Sequence, residues 1–269
     1  MIERAAPTRL FLGGLHRSGT SLLHRALSAH PDVAGFSGTG APEDEGQHLQ
    51  TVMTTARAHG GPGHFAFDPA SHLTEASPLA VPASRDRLEQ EWGRHLPPGA
   101  AVVVEKSPPN IVRARFLQAL FADSAFVFIV RHPASVALAT RRWSSASMAE
   151  LVLHWHVAHA VLARDLPHLR RAVVLRFEDF LAGPAPFVAR VQALVGLSAQ
   201  PPPPFEVRAQ ADDAYRAEWR DEHQDDARLL ADALPEVVAT AASFGYSLAD
   251  GTVVEPTGDC PVPLVGPPA

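Results

Sequence analysis

Four short runs of almost uninterrupted apolar residues punctuate the chain at residues 9–13, 101–105, 125–130 and 172–177. Each closes on glycine or on charged and polar residues. Runs of this length, bounded by breakers and lacking polar alternation, predict strands buried on both faces. Between them, apolar residues return every three or four positions, which predicts helices. One follows the first strand and ends near Ala29-His30-Pro31. Others cover 85–96 (Leu88, Trp92, Leu96), stopped by Pro97-Pro98-Gly99, and 111–121, with Ile111, Ala114, Leu117 and Phe121 on one face. Further helices are predicted over 133–143, opened by Pro133, and over 149–162, 185–195 and 228–244. Strands alternating with helices imply an α/β protein, a three-layer α/β/α arrangement with a central parallel sheet.

Three stretches break the pattern. Residues 34–40 are small and lead into the acidic run Glu43-Asp44-Glu45. Residues 60–82 are rich in Gly, Pro, His and Ser without a lasting period and read as an insertion or lid. Residues 251–269 are Pro-rich and aperiodic, so the expected organisation is one domain over 1–250 and a loosely attached tail over 251–269.

The loop after the first strand carries the sharpest chemistry. Gly14-x4-Gly19-Thr20-Ser21 has the spacing of a phosphate loop, in which backbone N–H groups and a helix N-terminus face an anion. The P-loop lysine is replaced by Thr20, and a cation, Arg17, stands inside the loop instead. Ligands of parallel sheets bind beyond the carboxyl ends of the strands, and three such ends carry Arg17, Lys106 and Arg131. Together they predict a polyanion site. The cluster His154, His156, His159 lacks the spacing of a metal motif, and no metal is expected. Trp143, Trp155 and Trp219 read as packing residues.

Composition narrows the class. The 269 residues are 46% hydrophobic and 19% charged, with 23 Lys and Arg against 29 Asp and Glu, a net charge of −6. A folded domain with no overall basic field is expected to bind neither nucleic acid nor anionic membrane. The single cysteine, Cys260, allows no internal disulfide or multi-cysteine zinc site. Without an apolar run long enough to span a membrane or a signal-peptide pattern, a cytoplasmic protein is expected.

The loop Arg17-Ser18-Gly19-Thr20-Ser21, with the Leu22–Val33 stretch behind it, resembles the 5′-phosphosulfate loop of sulfotransferases that use 3′-phosphoadenosine 5′-phosphosulfate (PAPS), in its arginine version. That version occurs in tyrosylprotein sulfotransferases and many bacterial members. The strand over 126–130 followed by Arg131 and a helix resembles the family's 3′-phosphate motif, and Leu175-Arg176-Phe177-Glu178-Asp179 resembles its L-x-Y-E-D segment. The resemblance spans about residues 9–246 and implies in-line sulfuryl transfer from PAPS to a hydroxyl of a small-molecule, carbohydrate or lipid-like acceptor, releasing 3′,5′-adenosine bisphosphate (PAP) without a metal. It implies Arg17, Ser18, Gly19, Thr20 and Ser21 on the 5′ side, Arg131 on the 3′-phosphate, and Arg17 and Lys106 stabilising the charge that develops during transfer.

Four positions depart from the family pattern. Ala139 replaces the usual serine eight residues after the arginine, leaving Ser135 or Thr140 to supply that hydroxyl. Phe177 replaces the tyrosine. Lys106-Ser107-Pro108 replaces K-T-H and removes its histidine base, and the C-terminal G-x-x-G-x-W segment is missing. The base is then sought in the 43–48 loop: Glu45, ahead of Glu43 and His48. A divergent P-loop kinase or NTPase and a catalytically inactive PAP-binding scaffold are the alternative readings.

Overall fold

In a computed structural model, which describes residues 7–204 and 209–254, the centre is a five-stranded, all-parallel sheet. The strands are β1 (Thr8–Gly13), β2 (Val33–Gly35), β3 (Val102–Lys106), β4 (Ala125–Val130) and β5 (Ala172–Arg176), in the order β2-β3-β1-β4-β5. Period-two alternation within the apolar runs builds two cores. On β4, Phe126, Phe128 and Val130 enter one core, and Ala125, Val127 and Ile129 enter the other.

Helices α1 (Thr20–Ser28), α6 (Phe177–Ala182) and α7 (Pro184–Leu194) cover one face through Leu23, Leu27, Phe180, Phe187 and Val191. The opposite face is covered by α2 (Pro82–Gly93), α3 (Ala114–Leu120), α4 (Pro133–Thr140) and α5 (Met148–Asp165). Behind these lie α8 (Ala209–Glu222), α9 (Gln224–Ala233) and α10 (Pro235–Ser243). Trp92, Phe121, Phe11 and Phe126 stack in the middle of that core, with Phe11 and Phe126 5.5 Å apart and Trp92 and Phe121 6.0 Å apart. The chain leaves β1 towards one face and β3 towards the other, which opens a crevice at their carboxyl ends.

Register fixes what points into that crevice. Leu12 of β1 lies opposite Lys106 of β3, and Phe11 opposite Glu105. Lys106 therefore shares the α1 face with Val102 and Val104, while Glu105 points to the other face.

The fifth strand, β2, is three residues inside the small-residue stretch, too short for an apolar run to mark it. Residues 60–82 form no free lid. Short 3-10 turns bury Phe65 and Ala66 against α5, Ala66 N–H donates to His154 Nε2 (3.2 Å), and Arg113 holds the carbonyls of Ser71 (3.2 Å) and Thr54 (2.8 Å). Tight turns give no helical or strand period, so burial there leaves no periodic signal. The helix expected over 111–121 splits into a 3-10 turn at Pro108–Val112 and α3. That expected over 228–244 breaks where Pro235 opens α10. Gly251–Val254 are tied to the core: Tyr246 bridges Val253, and Arg176 Nη1 donates to the carbonyl of Val254 (2.8 Å). Residues 255–269, including Cys260, lie outside the described residues. No helix among the described residues is long and apolar enough to cross a membrane.

Candidate active site

The loop between β1 and α1 is built from backbone conformations that most side chains avoid. Arg17 (φ 70°) and Gly19 (φ 99°) are left-handed, and Ser18 N–H turns back to the Leu15 carbonyl (3.0 Å). A Cβ on Gly19 would lie 2.4 Å from the Phe177 ring, so glycine is required by both conformation and space. Thr20 starts α1 with no acidic residue in the first turn and no side-chain cap, which leaves the helix N-terminus to an anion.

Four arginines converge on this loop. Arg17, Arg25, Arg131 and Arg142 line one open pocket with Gly19, Thr20, Ser21, Leu22, Phe177 and Tyr215. Arg17, Arg25 and Arg142 have no carboxylate partner among the described residues. Burial and then the neighbouring charge of Arg142 hold the Arg17 guanidinium below its ordinary pKa, with Glu43 opposing them only in part. Trp143 is 48% exposed and sits between two of them, 4.9 Å from the Arg17 guanidinium and 4.5 Å from that of Arg142. It is not a core residue, unlike Trp155 and Trp219, whose indoles are buried and donate to the carbonyls of Arg131 (3.0 Å) and Leu248 (2.8 Å).

Arg131 is locked in place. Its Nη1 donates to the Arg17 carbonyl (2.7 Å), its Nε and Nη2 reach Asp212 Oδ1 (2.8 and 2.7 Å), and its guanidinium lies over Phe177 (4.6 Å). Phe177 thus serves as a packing face for the cation. The hydroxyls of Ser135 and Thr140 are both buried without a partner among the described residues. Thr140 faces a small cavity shared with His16 and His154, whereas Ser135 lies in the first turn of α4, directly after Arg131.

Lys106 stands at the seam between this pocket and a second groove. The groove, of about 560 Å³, is lined by His24, Ser28, Phe36, Ser37, Glu43, Asp44 and Lys106, and shares Ser21 and Arg25 with the first pocket. Lys106 is 2% exposed, and its Nζ donates to Ser21 Oγ (3.3 Å), the Glu43 carbonyl (2.8 Å) and Glu45 Oε1 (3.3 Å). Glu45 is buried, and desolvation raises its pKa against the pull of Lys106. Gln47 Nε2 donates to its other oxygen at 2.5 Å, and His48 Nε2 lies 3.9 Å from it. Glu43 has an exposed side chain on a left-handed backbone (φ 54°). His16, buried beside Lys106, has its pKa lowered to about 4, first by burial and then by that cation, so its imidazole is neutral.

A third carboxyl supports the pair from behind. Glu105 is buried, its pKa raised to about 7 by desolvation, and it accepts from Ser107 Oγ and Asn110 Nδ2, both at 2.5 Å. Ser107 Oγ in turn accepts from Gln47 N–H (3.0 Å), which joins Glu105 to the loop that presents Glu45. Gly46 permits this approach, because a Cβ there would lie 2.5 Å from Glu105. No cluster of three or more His, Cys, Asp or Glu side chains among the described residues is arranged to hold a metal ion. His154, His156 and His159 bond separately to Ala66, Thr240 and the Trp155 carbonyl.

Sequence reasoning named Arg17, Lys106, Arg131 and Glu45 but missed Arg25, Arg142 and Asp212. Arg25 had a signal: it follows Ser21 by four on α1 and so shares its face. Arg142 and Asp212 had none, because turn geometry and helix docking bring them in. The chain can hold a phosphorylated anion over the loop and present a lysine and a carboxylate to a group in the adjoining groove.

A family model described as "Sulfotransferase family" matches residues 7–202. No curated protein sequence matches. Among solved structures, the sulfotransferase STF9 of Mycobacterium avium superposes with a TM-score of 0.56 at 12% identity, over 93% of this chain and 80% of that one. A sulfotransferase of Alicyclobacillus acidocaldarius gives 0.48 at 19% identity, over 85% and 96%. A retinol dehydratase in complex with androsterone and inactive cofactor PAP gives 0.36 at 14% identity, over 73% and 62%.

Proposed function

The chain belongs to the sulfotransferase family and is a sulfotransferase enzyme, and from that premise we propose that it transfers a sulfuryl group from PAPS to a hydroxyl of a small-molecule, carbohydrate or lipid-like acceptor. The observation that carries this reading is a pair of adjoining pockets sharing Ser21 and Arg25, one lined by four arginines and the other by Lys106. The arginine-lined pocket, with its left-handed loop and uncapped helix N-terminus, fits a molecule with two phosphate-type groups. The groove beside it combines hydroxyl, imidazole and charged side chains with the apolar surface of Ala29, Gly35 and Phe36, which supports a hydroxyl-bearing acceptor of mixed polarity.

PAPS, when bound, supplies an activated sulfuryl group whose leaving group is PAP, and the acceptor hydroxyl gives up its proton as the new ester bond forms. Arg17 and the backbone amides from Gly19 to Ser21 hold the 5′ anion, and Arg25 and Arg142 add charge without hydrogen-bond obligations elsewhere among the described residues. Arg131, packed on Phe177, holds the second phosphate, and Ser135, in the first turn of the helix that follows it, is the hydroxyl proposed to assist. Lys106 is placed by Glu45, Ser21 and the Glu43 carbonyl to offset negative charge where the two pockets meet. Glu45 takes the acceptor's proton: burial raises its proton affinity, and the Lys106 ammonium opposes that rise. Glu43, exposed at the groove, lines the acceptor side.

Thermal stabilisation of the purified protein by PAP, ATP and ADP tests the donor. PAP is expected to stabilise it most, and an equal or larger effect of ATP would overturn the assignment. With PAPS and a panel of hydroxylated acceptors, Arg17→Ala and Lys106→Ala should each lower PAP release by about 10²-fold or more. Wild-type rates in both variants would sink the mechanism.

A further inference from the structure

Sulfuryl transfer by Lys106 and Glu45 leaves one buried carboxyl beside them without a task. Glu105 is 2% exposed and, next to Lys106 on β3, points to the opposite face of the sheet. Among the described residues, its side chain bonds only to Ser107 Oγ and Asn110 Nδ2, both at 2.5 Å. The sense of both bonds is set by third parties. Asn110 Nδ2 also donates to the Leu12 carbonyl (3.0 Å), which fixes the orientation of its amide. The Ser107 hydroxyl accepts from Gln47 N–H (3.0 Å), leaving its own proton for Glu105. Both Glu105 oxygens therefore accept. A carboxylate meets that demand, whereas an amide would set donor against donor or leave the Ser107 proton unplaced.

Gln47 carries the connection onward. Its backbone N–H is held by Ser107, and its side-chain carbonyl accepts from Ala56 N–H (2.8 Å), which turns Nε2 towards Glu45 Oε2 (2.5 Å). Gly46, between the two, lies against Glu105 and has its carbonyl held by Trp92 Nε1 (2.9 Å). We infer that Glu105 is a positioning residue that sets the aim of the Glu45 carboxylate through Ser107 and Gln47. The inference rests on the proposal that Glu45 is the base. Lys106 fixes one oxygen of Glu45, and this chain of bonds fixes the other. Glu45 sits between two single 3-10 turns, so no long helix or strand holds it. Its aim depends on these bonds, and a misplacement of about 1 Å can cost about 10²-fold in rate.

The experiment is a double-mutant cycle on kcat with PAPS and an accepted hydroxyl compound, using Glu105→Gln, Glu45→Gln and the double variant. It is run at about pH 8.5, above the value of about 7 to which burial lifts Glu105. Glu105→Gln is expected to lower kcat about tenfold or more in the wild-type background and less than about twofold in the Glu45→Gln background. PAP affinity should stay within about twofold of wild type. An equal fall in both backgrounds, no fall in wild type, or a loss of PAP affinity matching the loss of kcat would overturn the inference. Should Glu105→Gln fold poorly, Ser107→Ala cuts the same chain at its next link and is read by the same cycle, with Ser107→Thr expected to restore turnover. If Glu45→Gln alone keeps the wild-type rate, the assignment of the base fails and takes this inference with it; a large Glu45→Gln effect with equal falls in both backgrounds defeats only the role of Glu105.

Discussion

Lys106 and Glu45 form an ion pair with both partners buried, 3.3 Å apart. Such a pair gains little net stability, but removing one member strands the other's charge and costs about 3–5 kcal/mol. The neutral isostere is therefore the informative change. Glu45→Gln should cost about 10²-fold or more in kcat/KM and remove the acid limb of the pH–rate profile. In wild type that limb should lie above the ordinary glutamate range, because burial raises this carboxyl and a base works only once deprotonated. A variant that keeps the wild-type limb would move the base elsewhere. At this scale the cations Arg17, Lys106 and Arg131 were legible from position, since the carboxyl ends of parallel strands border the ligand edge, whereas Arg176 at the end of β5 is spent on Asp179 and two carbonyls. The partners of those three cations were not legible. Glu45 was named on acidity and loop position, and nothing in the chain marked Gln47 or Ser107 as the residues that orient it.

The helix after β4 shows how an element's end can matter more than its body. Residues 133–143 read as one helix, yet α4 stops at Thr140 and Arg141–Trp143 tighten into a 3-10 turn. That change carries Trp143 out of the core and between Arg17 and Arg142. Exposed cation–π contacts contribute about 0.5–1 kcal/mol each, so losing the two that Trp143 makes should weaken PAP binding in Trp143→Ala by up to roughly five- to thirtyfold. The exposed indole holds no core together, so the melting temperature should barely move; a large fall in stability with unchanged affinity would assign Trp143 to packing instead. Long, periodic elements such as α5, which carries its own capping box at Ser147 and Glu150, were readable in the sequence. Elements made by turns were not, because β2 and the 3-10 segments between residues 42 and 71 lack the length over which a period can be recognised.

Across the molecule, Arg176 ties three distant parts together. It ends β5, pairs with Asp179 of α6 (2.7 and 3.0 Å) and donates to the carbonyls of Phe244 (3.5 Å) and Val254 (2.8 Å). Arg176→Leu should lower unfolding free energy by about 2–4 kcal/mol in urea titrations; no loss would show that the Arg176 ties add nothing to the fold. The three-layer architecture was legible because each strand is apolar on both faces, a demand that only a covered parallel sheet meets. Pocket architecture was not, since it depends on which way each chain segment leaves the sheet. The pairing of β1 with β3 has a further consequence for quality control. A slip of one residue would preserve the helical and strand content and leave a circular dichroism spectrum almost unaltered, yet it would exchange Lys106 and Glu105 across the sheet. A misaligned molecule would bury a bare cation among the Phe11 and Trp92 rings and present an acid to the anion pocket. Such a product is both unstable and inert, so turnover per folded molecule serves as an assay of strand alignment that spectroscopy cannot replace.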